Sequence, residues 1–108
     1  MMQDASKGLA VIQQQLKELD RITQETMETL NTTAGTERVA KWRVKTVALL
    51  TEALGQKTGH DFARIQPGPS FSNDLVEEFT DLVECFRGPL TALSKTTAQA
   101  AQRPTGGG

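Results

Sequence analysis

Residues 36–54, TERVAKWRVKTVALLTEAL, repeat their apolar side chains at a period that only an α-helix satisfies. At about 100° per residue, Val39, Trp42, Thr46, Leu49, Leu50 and Ala53 fall on one side, with Leu54 at its edge. Trp42 is the only tryptophan and offers the largest single apolar surface, so this stripe has to be covered by other elements. Once inside, its indole N–H requires an acceptor. Arg38, Lys41 and Lys45 stand at i, i+3 and i+7 along one flank, a basic ridge whose stems can cover apolar surface while the charges stay in water. Thr36 is the expected N-cap, Glu37 suits the positive first turn, and Gly55 is placed to stop the helix in a left-handed conformation.

The chain before it reads as a longer helix over residues 6–31, capped by Asp4 or Ser6, with Leu9, Ile12, Leu16 and Leu19 on a heptad-like seam that continues through Thr23 and Thr26 to Leu30. Ile22 and Met27 lie beside that seam and shift the apolar face sideways. At 1.5 Å per residue this helix is roughly 38 Å long against about 28 Å for the second, which leaves about 10 Å unmatched in a simple hairpin. The overhang makes Leu9, Ile12 and Leu16 candidates for an interaction surface. A short link makes the two helices antiparallel neighbours. Residues 60–65 are expected to form a short helical turn whose Phe62 and Ile65 cap the end of the bundle.

Pro67, Gly68 and Pro69 interrupt the chain, and Phe71 is placed as a hydrophobic staple. Asp74 opens a third long helix with Glu77 as its capping-box partner, Ser72 and Asn73 being the alternatives. The stripe of this helix is Leu75, Phe79, Leu82, Phe86, Leu90 and Leu93, widened by Val76 and Val83. Pro89 removes the hydrogen bond to the carbonyl of Cys85, which predicts a kink or a break. Residues 94–102 favour helix weakly and carry little to bury. The expected architecture is all-α: an antiparallel three- to four-helix bundle with a long N-terminal helix, one short capping helix and a Pro-kinked C-terminal helix. Residues 1–102 form the single domain and 103–108 a disordered Gly-rich tail.

Twelve Lys and Arg against thirteen Asp and Glu give a net charge of −1, so no overall field draws the protein to nucleic acid or an anionic membrane. One cysteine forms no internal disulfide, the N-terminus lacks the pattern of a signal peptide, and no apolar run reaches membrane length. The expected setting is cytoplasmic.

No residue set invites catalysis. His60 is the only histidine, Cys85 the only cysteine, and neither GxGxxG nor GxxxxGK[ST] occurs, so no enzyme activity, metal, cofactor or small-molecule substrate is expected. Asp74, Glu77, Glu78, Asp81 and Glu84 form an acidic face on the third long helix. They dock a basic partner, form a solvated face, or pair with Arg38, Lys41 and Lys45 inside the bundle. The segment RVAKWRVK has the cations and the aromatic ring that a nucleic-acid contact would use, but Trp42 lies in the middle of the buried stripe.

The segment KWRVKTVALLTEALGQKTGHDFARI, residues 41–65, resembles a short helical module with a basic-Trp-x3-Thr-x3-Leu core, a glycine, and a Phe-x-x-Ile turn. That module is found beside effector domains of prokaryotic antiphage and nucleotide-signalling proteins, including those with TIR-like effectors. The matching positions are Trp42, Thr46, Leu50, Gly55, Phe62 and Ile65. No effector domain accompanies them in this sequence, so the resemblance implies an accessory or assembly role in phage defence or signalling. The expected function is protein–protein interaction or oligomerisation through Leu9, Ile12 and Leu16, the ridge of Arg38, Lys41 and Lys45, and the carboxylates Glu77, Asp81 and Glu84. The alternative is a small nucleic-acid-binding regulator, antitoxin- or repressor-like, that uses the basic ridge.

Overall fold

The computed structural model describes residues 5–68 and 73–102. They form an all-α bundle of four helices, α1 (Ala5–Thr29), α2 (Thr32–Leu54), α3 (Gln56–Ala63) and α4 (Leu75–Gln102). Asp4, Pro69, Phe71, Ser72 and the tail 103–108, for which a cap, a chain break, a staple and disorder were expected, lie outside the described residues.

The tryptophan-bearing α2 touches each of the other three helices. α1 packs along both α2 and α4, while α3 lies against α2. Gly35 on α2 is beside Thr26 of α1 and Phe79 of α4, and further along Arg87 of α4 reaches Asp20 of α1. Both α2 and α4 therefore run antiparallel to α1.

The corner between α1 and α2 is tighter than the pattern suggests. α1 ends at Thr29; Leu30 turns left-handed at φ 59° and donates its N–H to the Thr26 carbonyl at 2.7 Å, which leaves its own side chain 64% exposed. Leu30 is thus no part of the seam. Asn31, not Thr36, caps α2, its side chain accepting from the Ala34 N–H at 3.1 Å. Gly35 lies inside the helix, where an added Cβ would stand 2.5 Å from Thr26 Oγ1 and 2.9 Å from Phe79 Cε1. A residue that reads as a linker allows three helices to approach at one point. At the other end Gly55 stops α2 as expected, though with φ 103° and an extended ψ of 165° in place of a left-handed helical cap, and α3 starts on the next residue.

The earlier start of α2 removes the overhang. Gly8, in the first turns of α1, faces Leu54 at the end of α2 so closely that a Cβ at this position would collide with Leu54 Cδ2. Ile12 is in the core at 0% exposure, and Leu9 and Leu16 are half-buried, so these three present no free apolar surface of the kind expected. The buried seam of α1 is Gly8, Ile12, Gln15, Leu19, Ile22 and Thr26. It keeps the heptad rhythm and shares Ile12, Leu19 and Thr26 with the expected seam, but takes Gly8, Gln15 and Ile22 in place of Leu9, Leu16 and Thr23, because a helix flanked on two sides buries a broad arc whose centre need not be apolar.

The core joins that seam to Val39, Trp42 and Leu50 of α2, Phe62 of α3, and Phe79, Val83, Phe86 and Leu90 of α4. Leu49 is half-buried and Leu75 is 64% exposed, which places both at the margins of stripes they were expected to fill. Phe62 meets the Trp42 ring edge-on at 5.9 Å and lies 5.9 Å from Phe86. It therefore packs against the middle of α2 and does not close an end of the bundle. Ile65 packs half-buried on the same cluster.

Asp74 caps α4, its Oδ1 accepting from the Val76 N–H at 2.9 Å and the Glu77 N–H at 3.4 Å. The helix runs through Pro89 without a break. Pro89 is exposed, and Gly88 before it has no Cβ to meet the proline ring, which lifts part of the usual pre-proline restriction. The weak C-terminal stretch stays helical to Gln102 and buries Thr97.

Candidate functional site

Trp42 is 2% exposed, and its Nε1–H donates to the backbone carbonyl of Gln15 at 2.9 Å. Gln15, itself buried, has its Oε1 3.1 Å from Thr46 Oγ1, which also lies 2.7 Å from the Trp42 carbonyl. This knot of three buried polar side chains pins α1 against α2 in a single register. Arg43 is set apart from the other basic residues of α2: its Nη2 donates to the carbonyls of Ala63 at 2.5 Å and Ile65 at 2.6 Å, with the guanidinium 5.1 Å from the Phe86 ring centre. It fastens the end of α3 and takes no part in the ridge.

With the register set, the ridge becomes one bank of a groove. Gln14, Lys17, Glu18, Arg21 and Ile22 of α1 line the opposite bank from Arg38, Lys41, Trp42 and Lys45 of α2, around a volume of about 520 Å³. Five cations share this groove. Glu18 accepts from Lys45 Nζ at 3.0 Å, and Glu25 pairs with Arg38 Nη2 at 2.8 Å and Arg21 Nε at 3.4 Å. Two carboxylates against five cations leave a surplus of three positive charges, and Lys17 and Lys41 form no ion pair with a described residue. The Arg38 guanidinium holds the Glu25 carboxyl below the usual carboxylate range; partial desolvation acts the other way, and Arg21 adds to the lowering.

Arg38 and Lys45 of the ridge therefore pair with α1, and Glu78, Asp81 and Glu84 of α4 form no ion pair with α2 among the described residues. Glu77, Asp81 and Glu84 are exposed and Glu78 is half-buried, while Arg87 brings a cation to the end of this face, its Nε 3.4 Å from Glu84 Oε1. Arg87 also ties α4 to α1 through Asp20 Oδ1 at 2.6 Å. The acidic residues occupy the side of α4 opposite Phe79, Val83, Phe86 and Leu90.

Lys17, Arg21, Glu18 and Glu25 do not stand out in the sequence, although they occupy one flank of α1 at helical spacing. They acquire meaning only when α1 is laid antiparallel to α2, which brings residue 18 opposite 45 and residue 25 opposite 38.

A second hollow, of about 500 Å³, opens between α2 and α4, lined by Val39, Ala40, Val44, Val47, Leu82 and Phe86 among others. Val44 stands 72% exposed at that face of α2. Burial pushes the Cys85 thiol up from its ordinary value, against a weaker opposing pull from Arg43, so it stays protonated at neutral pH. Among the described residues no three His, Cys, Asp or Glu side chains converge as a metal site would require. None of the described helices is long and apolar enough to cross a membrane. No family model, curated protein or solved structure matches this chain.

Proposed function

We propose that this chain is a non-catalytic helical interaction module whose recognition surface is the groove between α1 and α2, and that it receives a partner's carboxylate-bearing face there. The observation that carries this reading is the convergence of Lys17 and Arg21 with Arg38, Lys41 and Lys45 around one groove. Cations on two helices held in a fixed register make a shaped site, whereas a single ridge is only a solvated flank. The resemblance of residues 41–65 to an effector-flanking module of prokaryotic defence proteins suits an accessory part of such an assembly.

Nucleic acid is the less favoured occupant. Trp42 is buried, which removes the ring that would stack on a base, and a net charge of −1 gives no overall field that would draw the chain to phosphates. Replacing Lys41 and Lys45 together by Glu is the test. Exposed ion pairs contribute only about 0–1 kcal/mol each, so the variant keeps its fold and melts close to the parent. Binding of poly-L-glutamate, followed by titration at low salt, is lost. A random-sequence DNA duplex bound by the parent with a steep salt slope, while polyglutamate is not bound, would transfer the groove to the nucleic-acid reading.

A further inference from the structure

Resting on that reading, we propose that the partner is a second copy of this chain, whose α4 presents Glu77, Asp81 and Glu84 to the groove of the first in a head-to-tail contact.

The two surfaces match in spacing as well as in sign. Along α2 the cations stand at 38, 41 and 45, steps of three and then four; along α4 the exposed carboxylates stand at 77, 81 and 84, steps of four and then three. Laid antiparallel, 45 meets 77, 41 meets 81 and 38 meets 84, with every pair at the same height because both helices rise about 1.5 Å per residue. The row spans seven residue steps on each helix, or about 10.5 Å.

Within one molecule Asp81 and Glu84 form no ion pair with Arg38, Lys41 or Lys45 among the described residues. Arg38 and Lys45 are bound to Glu25 and Glu18 of α1, and α4 directs its carboxylates away from the core. The central pair has no such commitment, since neither Lys41 nor Asp81 forms an ion pair with a described residue. Lys17 and Arg21 on the α1 bank add positive charge beside the incoming helix.

A groove on α1 and α2 that takes a face of α4 is a heterologous contact. An open assembly always keeps one groove and one acidic face unfilled, so it grows into a chain or closes as a ring. The charges are exposed and therefore screened, which makes the contact weak, reversible and dependent on salt.

Sedimentation of the full chain over a concentration series at low and at high salt tests this, using the charge exchange of the central pair. The parent associates at low salt and is monomeric at high salt. Lys41→Glu and Asp81→Lys each weaken association by roughly tenfold, as expected for coupled charges in contact, and the double variant Lys41→Glu/Asp81→Lys recovers most of that loss. Circular dichroism melts of all three variants near that of the parent exclude unfolding as the cause. A parent that stays monomeric at low salt, or a double variant weaker than both single ones, overturns the proposal. If the monomeric parent still binds poly-L-glutamate through Lys41 and Lys45, the groove is an acidic-partner site with a different occupant; if it does not, the groove reading fails as well.

Discussion

The two sides of α2 are held to α1 by different physics. On one side Trp42, Thr46 and Gly35 meet Gln15 and Thr26 of α1 at close contact, with each buried polar group directed at a particular partner. On the other, Arg38 and Lys45 reach half-buried carboxylates on flexible stems. Shape and buried hydrogen bonds leave the first side little tolerance, while solvent and side-chain freedom give the second a great deal. One side can fix the register of the hairpin because the other is left free to change partners.

The largest effect that tests this contrast is the loss of the Trp42 ring. Trp42→Ala removes a side chain in contact with Phe62 and Phe86, and is expected to cost about 3–5 kcal/mol, read from a chemical denaturation curve. Trp42→Phe separates shape from hydrogen bonding: it keeps much of the ring and forfeits the bond to the Gln15 carbonyl, for about 1 kcal/mol beyond its lost volume. A Trp42→Ala variant that melts within a degree or two of the parent would erase the distinction between the two sides.

Gly35→Ala is the next step down. Alanine gains about 1 kcal/mol of helix propensity over glycine, so on an open helix the change would stabilise. Here the new methyl meets Thr26 Oγ1, Thr26 Cγ2 and Phe79 Cε1, all closer than 3.0 Å. Thr26 is buried, β-branched and bonded to the Ile22 carbonyl at 2.7 Å, so it has little room to yield. Overpacking typically costs about 1–3 kcal/mol, which outweighs the propensity gain and leaves a net loss on the order of 1 kcal/mol. A variant with a higher denaturation midpoint than the parent would show that the three-helix contact at Gly35 is soft.

Gly35 also shows where a sequence stops being legible. The stripes from Val39 to Ala53 and from Phe79 to Leu90, the stop at Gly55 and the cap at Asp74 are written locally, in apolar period and backbone chemistry, and each is found where its residues place it. Gly8, Gln15 and Gly35 break an apolar pattern when read alone; each is buried because of what faces it, Leu54, Trp42 with Thr46, and Thr26 with Phe79. The expected overhang fails for the same reason, since taking Gly35 as linker shortens α2 by a turn and leaves Ile12 without a neighbour. The same limit applies to the groove. Arg38, Lys41 and Lys45 are visible as a row on one helix, whereas Lys17 and Arg21 join them only through a register set by a tryptophan and a glutamine 27 residues apart.

The smallest effect concerns the ridge itself and is best read through pH. The Glu25 carboxyl is held below its usual range, chiefly by Arg38 and secondarily by Arg21, against partial desolvation. A carboxyl lowered on folding contributes stability that is complete above the carboxylate range of the unfolded chain. That contribution is lost as the pH falls through the lowered value in the folded state. Glu25→Gln should therefore melt slightly below the parent at neutral pH, with the gap closing on acidification and also shrinking in high salt, where exposed pairs are screened. Thermal melts of the two proteins across a pH series, at two salt concentrations, decide it. A gap that persists in acid would mean that Glu25 acts by packing along α1, and the ridge would then belong with the shape-defined side of α2. A gap that closes in both conditions leaves Arg38 held by charge alone, and so able to exchange Glu25 for a carboxylate brought by another molecule.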